Sequence, residues 1–186
     1  MSENKQNGME YYRRFLKGDS TALEQLVQAY SDAFVRFAFC YVKDSAAAED
    51  IMEEAFAALI VKRRSFSTDS NLRAYLYKTV RNKSVDYLRA HKKQISISDV
   101  ENVLVSADGE ENVVRRVRNR AVYRCLTQLP PQYEEVLYLT YFEGYTPEEV
   151  CKIIKRNKKQ VYNLLARAKS SLKELLQKEG ISHEDV

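Results

Sequence analysis

Lys158, Lys159, Tyr162, Asn163 and Arg167 recur at three-and-four spacing. One helical face therefore holds ammonium groups, a phenol, an amide and a guanidinium. That set suits the major groove of DNA: guanidinium and amide forks match base edges, and lysines neutralise phosphates. Between Lys155 and Lys178 eight Lys or Arg stand against one acid, Glu174. A solvated basic face on a helical hairpin would carry the same charges, so the flanking signals matter. Thr146 with Glu149 forms a capping-box pattern, and Pro147 suits a first helical position. After Lys155 and Arg156, Asn157 caps a second helix, with Gln160 at the complementary place. Val150, Cys151, Ile153 and Ile154 give the first helix an apolar side. Val161, Leu164, Leu165, Ala168, Leu172, Leu175 and Leu176 do so for the second. A short helix, a tight turn and a longer helix are the parts of a helix-turn-helix.

A second basic stretch lies upstream. From Lys62 to Lys93, ten Lys or Arg face only Asp69 and Asp86, and the run holds Tyr75, Tyr77, Tyr87 and Asn82. Cations, rings and an amide suit unstacked or flipped bases. The rings also suit a core, the role assigned to Tyr75 and Tyr87. The preceding stretch has the opposite sign. Asp44, Glu49, Asp50, Glu53 and Glu54 occur between Asp44 and Val61 without a Lys or Arg. Such a helix suits docking on a basic partner, and a solvated face accounts for it equally well.

The elements that position these groups are helices. Among 186 residues only 5 Gly and 3 Pro occur, which disfavours a turn-rich β fold. Residues 1 to 9 read as a polar, frayed end, followed by a short aromatic stretch from Tyr11 to Leu16. Thr21 with Glu24 predicts a helix start, and Leu23, Leu26, Val27, Tyr30, Phe34, Phe37 and Ala38 continue it. Asp44 and Ser45 restart a helix through Ile51, Met52, Ala55, Phe56, Leu59 and Ile60. After a polar break at 67–71, another buries Leu72, Tyr75, Leu76, Val80, Tyr87 and Leu88. Residues 93–114 lose the helical period and carry five acids, so they read as a linker. Stretched out, those residues would reach roughly 70 Å, about 20 base pairs of duplex. Helix resumes from Arg115 to about Gln128, and again from Gln132 to Phe142. The expected fold is all-α: two small helical domains, 10–92 and 115–178, joined by a flexible linker at 93–114, the second containing the helix-turn-helix.

Other functions fit poorly. Cys40, Cys125 and Cys151 are odd in number and widely spaced, so buried thiols are expected instead of zinc or disulfides. Neither His91 nor His183 has a nucleophile or paired carboxylates arranged around it, so no catalytic group and no cofactor is expected. No signal pattern opens the chain and no apolar run suffices to cross a bilayer, so a cytoplasmic protein without membrane insertion is expected. The net charge of +4 is too mild to decide anything alone.

The motifs resemble a family. AEDIMEEAF at 48–56, Phe66, and LRAYLYKTVRNKSVDYLR at 72–89 look like region 2 of the extracytoplasmic-function sigma factors. LPPQYEEVLYLTYFEGYTPEEV at 129–150 and LLARAKSSL at 164–172 look like their region 4. The resemblance implies a factor that binds core RNA polymerase, through the β′ coiled coil and β, and directs it to promoter DNA. It places Asp50, Glu53, Glu54 and Phe56 on the β′ coiled coil. It puts Asn82 and Asp86 on an extruded base of the −10 element, with Arg81, Lys83 and Arg89 on the backbone. It assigns Lys158, Lys159, Tyr162, Asn163 and Arg167 to the −35 element; Lys155 and Arg156, where the chain departs from the family pattern, are expected as added phosphate contacts. An anti-sigma factor is an implied partner.

The chain departs from the pattern in places. Relatives often have Trp where Tyr75 stands, Gly and an apolar residue where Lys155 and Arg156 stand, and Thr where Gln160 stands. The Gly difference raises the question of whether Lys155 adopts positive φ. The competing reading is a stand-alone dimeric helix-turn-helix regulator. A helical interaction module and an enzyme fit less well.

Overall fold

The computed structural model describes residues 8–91 and 122–180. The chain divides into two compact units, Met1–Ser96 and Ile97–Val186, and no strand occurs among the described residues. The linker expected at 93–114 and the helix start at Arg115 lie outside the described residues.

The first unit packs four helices: α1 (Gly8–Leu16), α2 (Ser20–Val42), α3 (Ser45–Lys62) and α4 (Asp69–Ala90). Phe34, Phe37, Leu59, Leu72, Leu76, Tyr77 and Val80 are buried at its centre. Phe34 and Phe37 meet the Tyr77 ring edge-on at 4.7 and 5.0 Å, a geometry aromatic quadrupoles favour. Each such side chain, fully buried, contributes about 1.5 to 3 kcal/mol by leaving water. Here the structure corrects the sequence reading. Of the three tyrosines on α4, Tyr77 is the buried one, while Tyr75 and Tyr87 are half-buried. Because α4 packs on both α2 and α3, its buried stripe keeps the expected Leu72, Leu76 and Val80 but takes in Tyr77 and Ser84 in place of Tyr75, Tyr87 and Leu88.

The start of the unit also differs from expectation. Helix α1 begins at Gly8, and Gly8 and Met9 are buried. Gly8 passes so close to Tyr30 that an added Cβ would lie 2.0 Å from its hydroxyl. That hydroxyl donates to Asp69 Oδ1 at 2.8 Å, and the Met9 N–H donates to the same oxygen at 2.9 Å. One carboxylate in the first turn of α4 thus ties down α1 and α2. Helix α2 is capped by Asp19, which accepts from the N–H groups of Thr21 and Ala22, and not by Thr21. The Thr21 hydroxyl and then Arg14 hold the Asp19 carboxyl below the usual carboxylate range. Asp44 caps α3 as expected, and Thr68 caps α4.

In the second unit, helical residues 122–127 (α5) precede α6 (Pro131–Leu137), a π-helical turn (Tyr138–Phe142), α7 (Pro147–Ile154) and α8 (Lys158–Lys178). The single helix expected from Gln132 to Phe142 is therefore α-helical only in its first half. The wider π turn keeps Tyr138 and Leu139 buried while Tyr141 stands 56% exposed beneath the Lys169 ammonium. Val136, Leu139, Val150, Ile153, Val161 and Ala168 form the core. Leu164, Leu172 and Leu175 are only half-buried, so the buried stripe of α8 is narrower than its leucine pattern. Cys40 and Cys125 are buried, but Cys151 is half-buried.

Candidate nucleic-acid interface

The helix-turn-helix forms through local contacts that its residue types dictate. Thr146 Oγ1 accepts from the Glu149 N–H at 3.3 Å, and Glu149 Oε2 accepts from the Thr146 N–H at 2.9 Å. Asn157 Oδ1 accepts from the Gln160 N–H at 2.9 Å, and Gln160 Oε1 accepts from the Asn157 N–H at 3.0 Å. Two reciprocal capping boxes therefore fix where α7 and α8 begin.

Between them the turn demands positive φ. Lys155 sits at φ 55° and ψ 47°, and the Arg156 N–H reaches back to the Cys151 carbonyl at 3.2 Å. This is the left-handed helix stop that glycine usually makes. The lysine in that place accepts the strain, which for a residue with a Cβ costs about 1 to 2 kcal/mol. Lys43 and Arg63 end α2 and α3 in the same conformation. A cation beside unsatisfied carbonyls offsets part of that strain. Lys155→Gly is accordingly expected to stabilise the second unit by about 0.5 to 1 kcal/mol net of glycine's entropy. Thermal unfolding checks this, and a lower midpoint would show that the lysine charge outweighs the strain.

The basic face of α8 is open. Lys155, Arg156, Lys158, Lys159, Tyr162, Asn163 and Arg167 are all exposed, Tyr162 by 47%. Arg156, Gln160, Asn163, Leu164 and Arg167 line a shallow hollow with amide and guanidinium donors round an apolar floor. Lys158 stands apart from this set. Its ammonium pairs with Glu148 in the first turn of α7 at 2.5 Å and lies 5.8 Å from the Tyr162 ring centre. The pairing lowers the Glu148 carboxyl and raises the Lys158 ammonium relative to their ordinary values. Nothing in the sequence singles out Glu148, since a separation of ten residues across a turn has no periodic signature.

In the first unit, Asp50, Glu53 and Glu54 form one exposed stripe of α3. Phe56, expected beside them, is 3% exposed and lies 5.8 Å from Phe34, ring centre to ring centre. Its ring supports the helix from the core side and leaves the outer face to the carboxylates. On α4, Asn82, Asp86 and Arg89 share another exposed stripe, and Arg89 pairs with Asp86 at 3.2 Å. Arg81 is half-buried. Lys83 turns away from Asn82 and meets Glu54 of α3 at 2.6 Å. The acidic stripe and the basic helix are therefore neighbours, joined by an ion pair that sequence spacing does not announce. Tyr75 packs between Phe66 and the Arg64 guanidinium, and Tyr87 stacks on His91 at 4.1 Å.

The family model for sigma-70 region 2 matches residues 26–94, and that for sigma-70 region 4 matches residues 119–172, together about two thirds of the chain. The chain belongs to the extracytoplasmic-function sigma factors. Among curated relatives, the ECF RNA polymerase sigma factor SigM of Bacillus subtilis (strain 168) is 27% identical, covering 87% of this chain and 99% of its own. RNA polymerase sigma factor SigV of the same organism is 28% identical, covering 90% and 100%. Two solved structures share the fold. CnrH in complex with the cytosolic domain of CnrY superposes with a TM-score of 0.63 at 21% identity over 91% of this chain and 97% of that one. The sigma factor RpoE in complex with the anti-sigma factor NepR from Bartonella quintana gives 0.63 at 20%, over 83% and 96%.

As a sigma factor, the chain binds core RNA polymerase and promoter DNA and directs promoter-specific initiation of transcription. The stand-alone dimeric regulator is not favoured. The region 2 match covers the acidic and basic helices α3 and α4, and the region 4 match covers the helix-turn-helix. Among the described residues, no helix is long and apolar enough to cross a membrane.

Proposed function

We propose that the exposed carboxylates of α3 dock on the β′ coiled coil of core polymerase, that α4 engages the −10 element, and that α8 reads the −35 element. Asp50, Glu53 and Glu54 are the docking residues, with Phe56 holding their helix in register from within. Asn82 and Asp86 contact an extruded base while Arg81, Lys83 and Arg89 follow the backbone. Asn163 and Arg167 read base edges; Tyr162, Lys155, Arg156, Lys158 and Lys159 complete the surface. Residues 10–92 and 115–178 act as the two functional domains, with 93–114 as the tether. The factor itself makes and breaks no bonds, since bond formation belongs to the polymerase, and it works in the cytoplasm. An anti-sigma factor is a further partner, because the RpoE relative is held by one.

The observation that carries this reading is the opposition of charge across helices of known exposure. Three outward carboxylates on α3 and a net-cationic α4 whose exposed stripe carries the Asn82 amide fall within the region 2 match, and a basic helix started by a reciprocal capping box begins within the region 4 match. Arg167→Ala tests the base-reading role. In the complex with core polymerase, promoter affinity is expected to fall by about 1 to 3 kcal/mol, with relaxed preference at one position of the −35 element. Equal weakening on random duplex would make Arg167 a phosphate contact instead.

A further inference from the structure

The ion pair between Glu148 and Lys158 is the feature of the DNA-facing unit that the reading above leaves unused. Lys158 opens α8, and Glu148 lies in the first turn of α7. Their contact closes the two helix starts onto each other at 2.5 Å. The same ammonium faces the ring of Tyr162, one turn further along α8. Glu148, Lys158 and Tyr162 thus form a chain from α7 into the centre of the exposed face. Among the described residues, the side chains of Lys155, Arg156, Lys159, Arg167 and Lys173 make no ion pair with an acid. Lys158 is different.

The consequence is electrostatic. In a helix-turn-helix the first helix crosses the sugar-phosphate backbone, so a carboxylate in its first turn faces phosphates. Left alone, that carboxylate would repel them. Paired, Glu148 and Lys158 make a neutral spot inside a cationic surface, and the lysine's charge is spent within the protein.

We infer that Glu148 is a specificity-determining positioning residue, which withholds Lys158 from phosphate and uses it to hold Tyr162 against the start of α8. This rests on α8 being the −35 surface. Lys158 then adds little to sequence-independent affinity, and the oriented phenol ring contributes to readout. Removing the carboxylate frees the lysine for phosphate and releases the ring, so non-specific binding rises while discrimination falls.

The test measures duplex binding by the complex of full-length chain and core polymerase, on promoter and on random sequence, across a salt series. Glu148→Gln keeps the side chain's shape and removes its charge. It is expected to steepen the salt dependence by about one counterion, so that affinity falls about 3.5-fold further between 50 and 200 mM salt. The ratio of promoter to random affinity should narrow. Lys158→Ala should weaken binding to both duplexes, because the unpaired Glu148 carboxylate then repels phosphates, and the double variant should return to the parental slope. A slope made shallower by about one in Lys158→Ala, with no change in Glu148→Gln, would overturn the inference, because Lys158 would be an ordinary phosphate contact. Lys159→Ala and Arg167→Ala run alongside as controls. Should neither alter binding to either duplex, α8 is not the DNA surface, and the underlying reading fails along with the inference. A change in unfolding midpoint alone would not imitate these results, since a lost structural contact does not alter the number of ions released.

Discussion

A chain carrying both Asp50→Lys and Glu53→Lys is expected to lose core-polymerase affinity by at least two orders of magnitude, about 3 kcal/mol, with its fold intact. Both side chains are exposed, and the buried face of α3 is made by Ile51, Met52, Ala55, Phe56 and Leu59. The helix therefore has no packing reason to object. Placing two cations where a basic partner expects carboxylates removes attraction and adds like-charge repulsion, which costs several kcal/mol at an interface. Glu54 is left in place by design. Because it holds Lys83, its reversal would disturb α4 as well and mix two effects. Binding of the double variant to core polymerase by titration, with its helical content measured in parallel, checks the result. Unchanged affinity would remove α3 from the docking surface.

The second large effect belongs to Asn82→Ala. A duplex base must leave its stack before a side chain reaches its pairing edge, and that costs a few kcal/mol. An amide that donates and accepts at once offsets part of the cost, and deleting both hydrogen bonds should raise the barrier to opening by about 2 to 4 kcal/mol. The exposed stripe of Asn82, Asp86 and Arg89 lets the amide act without disturbing the core. Open-complex formation, followed by permanganate reactivity of unpaired thymines, should fall sharply, while closed-complex affinity changes little. Equal loss in both would make Asn82 a duplex contact and sink the flipping role.

Much of the second unit was legible because its signals are local. The caps at Thr146 and Asn157 need only three residues of context, and both boxes form as their spacing requires. The family motifs carried the functional assignment. What was hidden depends on contacts distant in sequence or on the choice between neighbouring helical faces. Tyr75 and Tyr77 are both aromatic residues on one helix, and only the packing of α4 against α2 and α3 decides that Tyr77 goes in. Thr21 with Glu24 makes a plausible capping box, yet Asp19 two residues earlier, fastened by Arg14, takes the cap. Phe56 sits in an acidic motif but packs on Phe34. Gly8 looks like part of a polar tail until Tyr30 is seen against it. The pairs Glu54–Lys83 and Glu148–Lys158 each join residues on different helices, where periodicity has nothing to say.

The most direct measurement is transcription from genomic fragments by purified bacterial core polymerase, with and without this chain. Discrete transcripts starting at a small set of sites, each preceded by a shared pair of sequence elements, should appear only when the chain is added. Transcripts of the same number and position in both reactions would contradict the account.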